Sequence, residues 1–318
     1  RLLMAHRLRL VPDDLNIPFF RHRWPFFIWS ALVLVATVVM VAINGMNFGI
    51  DFKGGTVIEV QMPGPADLAA MRSTVDGLGL GASELQTAGS DRDVLIRLEA
   101  SEDQDEQRAR VDQVKEALNA AFGEGIVYKR QEFVGPKVSG ELLMNGVWAV
   151  LISVAGVLIY LWFRFEWQYG VGALAALIHD VSTGVGVYAF TGMEFNLTSI
   201  AALLMIVGYS LNDTVVIYDR VRENLRRYKA MPIEQLLDRS INETMARTLA
   251  TSITTLLALL ALFVLGGPVI RDFTVIMIVG VIVGIYSTIY IAAPVLYYLN
   301  LRASSPAPAK AGPATAKG

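Results

Sequence analysis

The sequence predicts an α-helical integral membrane protein that carries one small α+β domain outside the membrane. Of its 318 residues, 54% are hydrophobic and only 18% are charged, whereas a soluble domain has about 25% charged residues. Several apolar runs are long enough to cross a bilayer, which takes about 20 residues in a helix. A single long polar segment separates the first apolar run from the second.

Six apolar runs are the predicted transmembrane helices. The first covers residues 24–45. It is too long for a signal peptide and is followed by no small-residue cleavage site, so we expect a retained anchor. The other five lie within residues 141–299. They cover residues 142–163, 169–190, 197–218, 249–265 and 273–297, and Pro294 interrupts the last.

Basic residues in the connections predict the orientation, because lysine and arginine favour the cytoplasmic side. They are concentrated in the N-terminal segment 1–23 and in the connection 220–247. We therefore expect both termini in the cytoplasm and the long polar segment on the opposite side. Apolar spacing over residues 232–247 predicts an amphipathic helix on the inner membrane surface. The tail 300–318 is predicted to be disordered, and Arg1 indicates a trimmed or differently numbered start.

The long polar segment, residues 46–140, has the pattern of a separate domain. Alternating apolar residues and helical spacing predict the order β-α-β-β-α-β, which is that of the ferredoxin-like fold. The predicted strands cover residues 55–62, 84–87, 93–98 and 126–133, and the predicted helices cover residues 65–76 and 102–122. One face of the second helix should pack on the sheet; it carries Val111, Val114, Leu118 and Phe122.

Composition and motifs exclude several kinds of function. A net charge of −2 leaves no basic footprint for nucleic acid. The chain has no cysteine, which excludes thiolate catalysis, and its three histidines lack metal-ligand spacing. We therefore expect no metal, no cofactor and no enzymatic activity. The run after the first membrane helix lacks the lysine position of a phosphate loop and is interpreted as a structural junction, formed by Gly49, Asp51, Gly54 and Gly55.

Asp213 lies inside the fourth apolar run, where a carboxylate is costly unless it is paired, hydrated or protonated. Arg247, at the start of the fifth run, should lie at a similar depth and is the candidate partner. One interpretation is a static ion pair, or an arginine that extends to the membrane surface. The other is a protonatable switch, since burial favours the neutral carboxyl and a neighbouring arginine favours the charged one.

Other polar residues near this pair predict a polar path through the membrane. His179 and Asp180 lie near the middle of the third run. They are interpreted either as a structural hydrogen-bonding pair or as part of that path. Further side chains near Asp213 and Arg247 are candidates to hold water, namely Ser210, Asn212, Thr214, Thr251 and Thr254.

Four motifs carry a family resemblance that extends from about residue 45 to residue 294. They are Val-Gly-Tyr-Ser-Leu-Asn-Asp213, Arg247-Thr-Leu-Ala-Thr251, Phe-Gly-Ile-Asp51-Phe-Lys-Gly54-Gly55 and Ala-Leu-Ile-His179-Asp180. These motifs resemble the SecF family, which belongs with SecD to the RND superfamily. The sequence shows no departure from the family at Asp213, Arg247 or Thr251.

The resemblance implies an RND-type six-helix core with a periplasmic domain, in the bacterial inner membrane. Members of this family act with SecD, the SecYEG translocon and YajC, and use the proton motive force to help export unfolded preproteins. The resemblance also implies that Asp213, Arg247 and Thr251 take part in proton coupling. We expect movement at this site to reach the outer domain through the first and second membrane helices, which flank it.

Two alternatives stay open at this point. The chain could be an RND-type exporter of small or lipophilic molecules, although such exporters usually carry two six-helix halves and two large outer domains. It could also be a purely structural membrane partner with a static Asp213–Arg247 pair. Replacing Asp213 with asparagine distinguishes the structural role from proton coupling, because only the second requires an ionisable side chain.

Overall fold

A computed structural model describes residues 12, 15–81, 83–101 and 103–301. Most of the segment 1–23, including His6, and nearly all of the predicted tail lie outside this description. The helices are α1 (Arg23–Asn44), α2 (Ile50–Lys53), α3 (Leu68–Asp76), α4 (Gln104–Phe122), α5 (Pro136–Arg164), α6 (Trp167–Thr191), α7 (Leu197–Arg227), α8 (Ile233–Leu265), α9 (Pro268–Ser287) and α10 (Ala293–Tyr298). The strands are β1 (Gly55–Gln61), β2 (Ser83–Thr87), β3 (Asp93–Leu98) and β4 (Val127–Val134).

Within the described residues, six helical segments are long and apolar enough to cross a membrane. They are α1, α5, α6, α7, α8 and the α9–α10 segment, in the order that the hydropathy predicts. The second of them, α5, begins at Pro136 rather than near residue 142. Proline is favourable at the first position of a helix, where its missing N–H has no helical partner to lose.

The connection between α7 and α8 is much shorter than the sequence indicates. Both helices continue through the predicted loop 220–247, and only residues 228–232 separate them. The predicted surface helix over residues 232–247 is instead the first half of the continuous helix α8. Leu236, Leu237 and Ile241 are buried in the same cluster as Phe20 and Val221, so the apolar face that suggested membrane contact packs on protein.

The outer domain has the predicted ferredoxin-like topology. Its antiparallel sheet has the order β2-β3-β1-β4, with Ile58 of β1 paired with Ile96 of β3. The helices α3 and α4 cover one face through Met71 and Leu118, and all four of these side chains belong to one buried cluster. The predicted face of α4 is confirmed, since Val111, Val114 and Leu118 are buried and Phe122 packs against them.

Two glycines bring α7 and α9 close together. Any Cβ added at Gly280 would clash with Ile206, and one at Gly284 would lie 3.3 Å from Ser210 Cβ. Gly280 and Gly284 form the small-xxx-small pattern that lets membrane helices approach closely. The close contact sets the spacing at which the polar side chains of α7 meet those of α9.

Candidate functional site

Asp180 on α6 is the centre of a buried hydrogen-bond network that joins three helices. Its Oδ2 accepts from Ser210 on α7 at 2.6 Å and from Ser287 at the end of α9 at 2.7 Å. Its Oδ1 lies 3.2 Å from His179 Nδ1. All four residues are buried. Both carboxyl oxygens therefore have partners, which makes the network suited to holding α6, α7 and α9 together.

A π-helical turn at Thr288–Ala292 lies directly beside this network. Its cause is Pro294, which has no N–H to donate and whose ring crowds the carbonyl four residues earlier. In this turn, backbone and hydroxyl groups are available for hydrogen bonds with neighbouring helices. Thr288 exchanges a 2.8 Å hydrogen bond with Thr214 of α7, and Tyr218 donates to the Ala292 carbonyl at 3.2 Å. Such turns occur frequently at functional sites.

Asp213 lies on α7 within the same buried region, but its environment differs. The residue is only 3% exposed, and its Oδ2 is buried with no hydrogen-bond partner among the described residues. A buried acceptor without a partner is unusual in a native fold and calls for an explanation, such as a functional role. Among the described residues, Asp213 Oδ2 is the one carboxylate oxygen that is buried without a partner.

Arg247 lies near Asp213 but is not joined to it. Its charge acts on the Asp213 carboxyl, yet no ion pair between them is present in the part of the chain that the structure describes. Arg247 is exposed and lines an open pocket of about 410 Å³, together with Asn212, Asp219 and Tyr160. Asn212 therefore faces this pocket, while Asp213 faces the helix core.

Thr251 lies one turn after Arg247 on α8, and its hydroxyl is bonded within its own helix. It donates to the carbonyls of Arg247 at 3.2 Å and Thr248 at 3.0 Å. Such bonding to a preceding carbonyl is common for threonine in helices. The structure thus brings Arg247 and Asn212 to one pocket and places Asp213 on the buried face of α7. Among the described residues, the Thr251 hydroxyl forms no hydrogen bond with Asp213 or Asn212, and His179 and Asp180 belong to a network that reaches α7 through Ser210.

The four junction residues lie where the outer domain meets the membrane helices. Gly54 and Gly55 have φ values of +73° and +119°, and a Cβ at Gly55 would lie 2.5 Å from the Leu98 carbonyl oxygen. Both positions therefore require glycine. Asp51 Oδ2 accepts a 2.9 Å hydrogen bond from the backbone N–H of Leu197, the first residue of α7.

Several important residues were missed by the sequence reasoning. Two of the missed features are visible in the sequence, namely the polar residues Ser287 and Thr288 shortly before Pro294 and the Gly280–Gly284 spacing. No local sequence pattern marks Arg97 or Glu194. They form an ion pair at 3.0 Å between the outer domain and the connection of α6 to α7, although they are far apart in sequence.

In the outer domain, Asp93 is a carboxyl whose pKa is perturbed by a defined contact. A 2.6 Å hydrogen bond from Lys129 Nζ joins β4 to the start of β3, and it lowers the pKa of Asp93 below its ordinary value. The described residues contain no group of three or more histidine, aspartate or glutamate side chains that could hold a metal ion.

Comparison with known proteins identifies the family. The family model "Protein export membrane protein SecD/SecF, C-terminal" matches residues 113–302, and the SecD/SecF GG motif matches residues 39–62. The protein translocase subunit SecF of Rickettsia bellii strain OSU 85-389 is 42% identical over 294 residues, covering 92% of this chain and 97% of that protein. The SecF subunit of Rhodobacter capsulatus is 41% identical over 310 residues, covering 94% and 93%.

The chain belongs to the SecF family. The GG motif of the family contains the junction residues described above. The crystal structure of SecDF from Thermus thermophilus, titled a translocon-associated membrane protein, superposes with a TM-score of 0.82 at 35% identity. The match covers 91% of this chain and 39% of that chain, so this SecF-family chain spans about two fifths of the SecDF polypeptide. A SecDF structure in a super-membrane-facing form gives a TM-score of 0.66. The chain is thus a multi-pass membrane subunit with an RND-type core.

Proposed function

We propose that this chain uses the proton motive force, together with SecD, to promote preprotein translocation across the bacterial inner membrane. The family match over nearly the whole chain supports the export role. The observation that supports proton coupling is Asp213, a buried carboxylate with an unpartnered oxygen in a six-helix membrane core. The chain acts as an accessory subunit of the translocase rather than as an enzyme. Neither an exporter role nor a purely structural role has a comparable observation in its favour.

The proposed mechanism is an exchange of partners at Asp213. In the ionised state, the buried carboxylate attracts the Arg247 guanidinium across the α7–α8 interface, since opposite charges attract and water screens a buried charge less than an exposed one. Protonation removes that attraction and releases α8. Moving one charge through 100 mV supplies about 2.3 kcal/mol, which is enough to shift a two-state equilibrium about fiftyfold. Water held by Asn212 in the open pocket is proposed to carry the proton toward this carboxyl, with the Thr251 hydroxyl as a further hydrogen-bond partner for that water.

Substitution of Asp213 by asparagine tests the proposal. Asp213→Asn keeps the size of the side chain and removes its titration, so gradient-stimulated export should be abolished while ATP-driven translocation by the core machinery continues. Glu223→Gln is the matched control, because Glu223 lies on the same helix but forms a 2.8 Å ion pair with Arg220 at the exposed end, outside the lining of the pocket beside Arg247. Full gradient-stimulated export by an Asp213→Asn chain that accumulates normally would refute the proposal.

The proposed orientation places the outer domain in the periplasm and both termini in the cytoplasm. It rests on the basic residues of the α7–α8 region, including Arg220, Arg222 and Arg226. A cysteine introduced at Ser90 of this cysteine-free chain should react with an impermeant reagent in cells whose outer membrane alone is permeabilised. Reaction only after lysis would show that the orientation is the opposite of the proposed one.

The proposed partners are SecD, the SecYEG translocon, YajC and the unfolded preprotein. A single six-helix core matches about two fifths of a SecDF chain, and α1, α5 and α8 leave broad apolar faces exposed. We expect a heterodimer with SecD, related by a pseudo-two-fold axis along the membrane normal. Co-purification from native membranes in gentle detergent should recover SecD, and a stable, active monomer would contradict this arrangement.

A further inference from the structure

The connection between α6 and α7, residues 192–196, is bound directly to the base of the outer domain. Gly49 donates a backbone hydrogen bond to the Phe195 carbonyl at 2.8 Å, and Phe195 donates one to the Asn47 carbonyl at 2.7 Å. The rings of Phe48 and Phe52 each lie 5.9 Å from that of Phe195. This connection is therefore part of the same packed unit as the start of the domain.

Arg97 reinforces this contact from inside the sheet. Its side chain is 7% exposed, and Nη2 lies 3.0 Å from Glu194 Oε2. Its Nη1 donates to Asn47 Oδ1 at 2.9 Å and to the Phe48 carbonyl at 3.3 Å, and it lies 3.5 Å from Glu84. The hydrogen bonds of Arg97 are made by Nη1, and the Nη2 contact with Glu194 is an ion pair without a hydrogen bond. Arg97 thus fixes the α6–α7 connection relative to β3.

Gly49 is required for the same contact. Its φ is −71°, so other residues could adopt its backbone conformation without strain. A Cβ at this position, however, would clash with Glu194 Oε1. The missing side chain therefore provides the space in which Glu194 reaches Arg97.

Asp51 connects the domain to α7 itself. Its carboxylate accepts the hydrogen bond from Leu197 N–H, one of the N–H groups that a helix leaves without an internal partner at its start. Its negative charge also suits the positive end of the helix dipole. From Leu197, α7 continues without interruption to Arg227, and Asp213 lies about 24 Å along it, at 1.5 Å per residue.

We propose that Asp51, Arg97 and Glu194 are the positioning residues that transmit movement of α7 to the outer domain. This inference rests on the proposed function of Asp213. The sequence suggested transmission through the first and second membrane helices, because they flank the domain in the chain. The contacts favour α7, since Asp213 lies in its membrane-spanning part and its first residue, Leu197, is hydrogen-bonded to the domain.

A labelled domain tests this route in the complete chain. A fluorophore on Gln113→Cys, an exposed position on α4 of this cysteine-free chain, reports energy transfer to an acceptor dye in the membrane of proteoliposomes that contain SecD. In the otherwise unsubstituted chain, a proton gradient should change the transfer. In Asp51→Ala/Glu194→Ala, the change should be largely lost, because the contacts of Asp51 with α7 and of Glu194 with Arg97 are both removed. Each single substitution should reduce it less.

The matched control is Lys129→Gln, which removes an ion pair of the same domain, at 2.6 Å from Asp93, without touching the α6–α7 connection. Lys129→Gln should leave the gradient response unchanged. This result would show that weakening the domain in general does not cause the loss of transmission. Gly49→Ala should reproduce the effect of Glu194→Ala by displacing the carboxylate. A full response in the folded double variant, with Asp213→Asn unresponsive, overturns the inference alone. A full response in Asp213→Asn overturns the proposed function instead.

Discussion

Two buried aspartates in neighbouring helices have opposite environments. Asp180 accepts hydrogen bonds from two serines and contacts His179, whereas Asp213 has an oxygen with no partner among the described residues. A satisfied carboxylate rigidifies a core, and an unsatisfied one is costly to keep. This difference supports the proposed roles, in which Asp180 maintains the arrangement of the helices and Asp213 changes its protonation state.

The largest expected effect is on gradient-stimulated export, through the proposed Asp213–Arg247 pair. Arg247→Met should abolish gradient-stimulated export as Asp213→Asn does, because both remove one electrostatic interaction across the α7–α8 interface. The double variant should be no worse than either single one, since residues that act as a unit are not additive. Export measured in inverted vesicles with and without a proton gradient checks this. Independent, multiplicative losses would show that the two residues act separately.

A large effect on stability should follow from breaking the Asp180 network. Asp180→Ala leaves the Ser210 hydroxyl without its acceptor, whereas the Ser287 hydroxyl can still donate to the Gly284 carbonyl at 3.2 Å. An unsatisfied buried group costs about 1–3 kcal/mol. Asp213→Asn breaks no hydrogen bond to Oδ2 among the described residues and should change stability much less. Thermal unfolding in detergent compares the two variants. Equal loss of stability would mean that the two carboxylates contribute equally to the stability of the fold.

The smallest effect concerns a carboxylate outside the membrane. Lys129 lowers the pKa of Asp93 in the folded domain. The resulting stabilisation is present above the unfolded pKa of about 3.9, and it is lost as pH falls through the folded pKa. Asp93→Asn should therefore lower the melting temperature slightly at pH 7, by the equivalent of about 1 kcal/mol or less. Calorimetry should find the two chains converging in acid, and a constant gap would contradict the assignment.

The fold was largely predictable from the sequence because membrane helices and the ferredoxin-like domain leave periodic apolar patterns. Val111, Val114 and Leu118 illustrate this, since their spacing alone places them in the core. The length of α8 was not predictable, because the apolar face of residues 233–247 fits a membrane surface as well as a protein partner. Only the packing of Leu236 and Leu237 decides between them.

The site was predictable only in part. A lone aspartate in an apolar run draws attention to Asp213, and the family motif supports it. The hydroxyl partners of Asp180 could not be assigned, since the approach of α9 depends on the close contact at Gly280 and Gly284. Contacts such as Arg97 with Glu194 join distant parts of the chain, and no local pattern encodes them.

The most direct measurement is infrared difference spectroscopy of the protonated-carboxyl stretch, recorded while pH is changed on both sides of the reconstituted membrane. This measurement detects the proposed proton directly, through the carboxyl group that binds it. We expect a band that disappears in Asp213→Asn and persists in Asp180→Asn. A band that persists in Asp213→Asn and disappears in Asp180→Asn would contradict the assignment and make the serine-bonded carboxylate the titrating group.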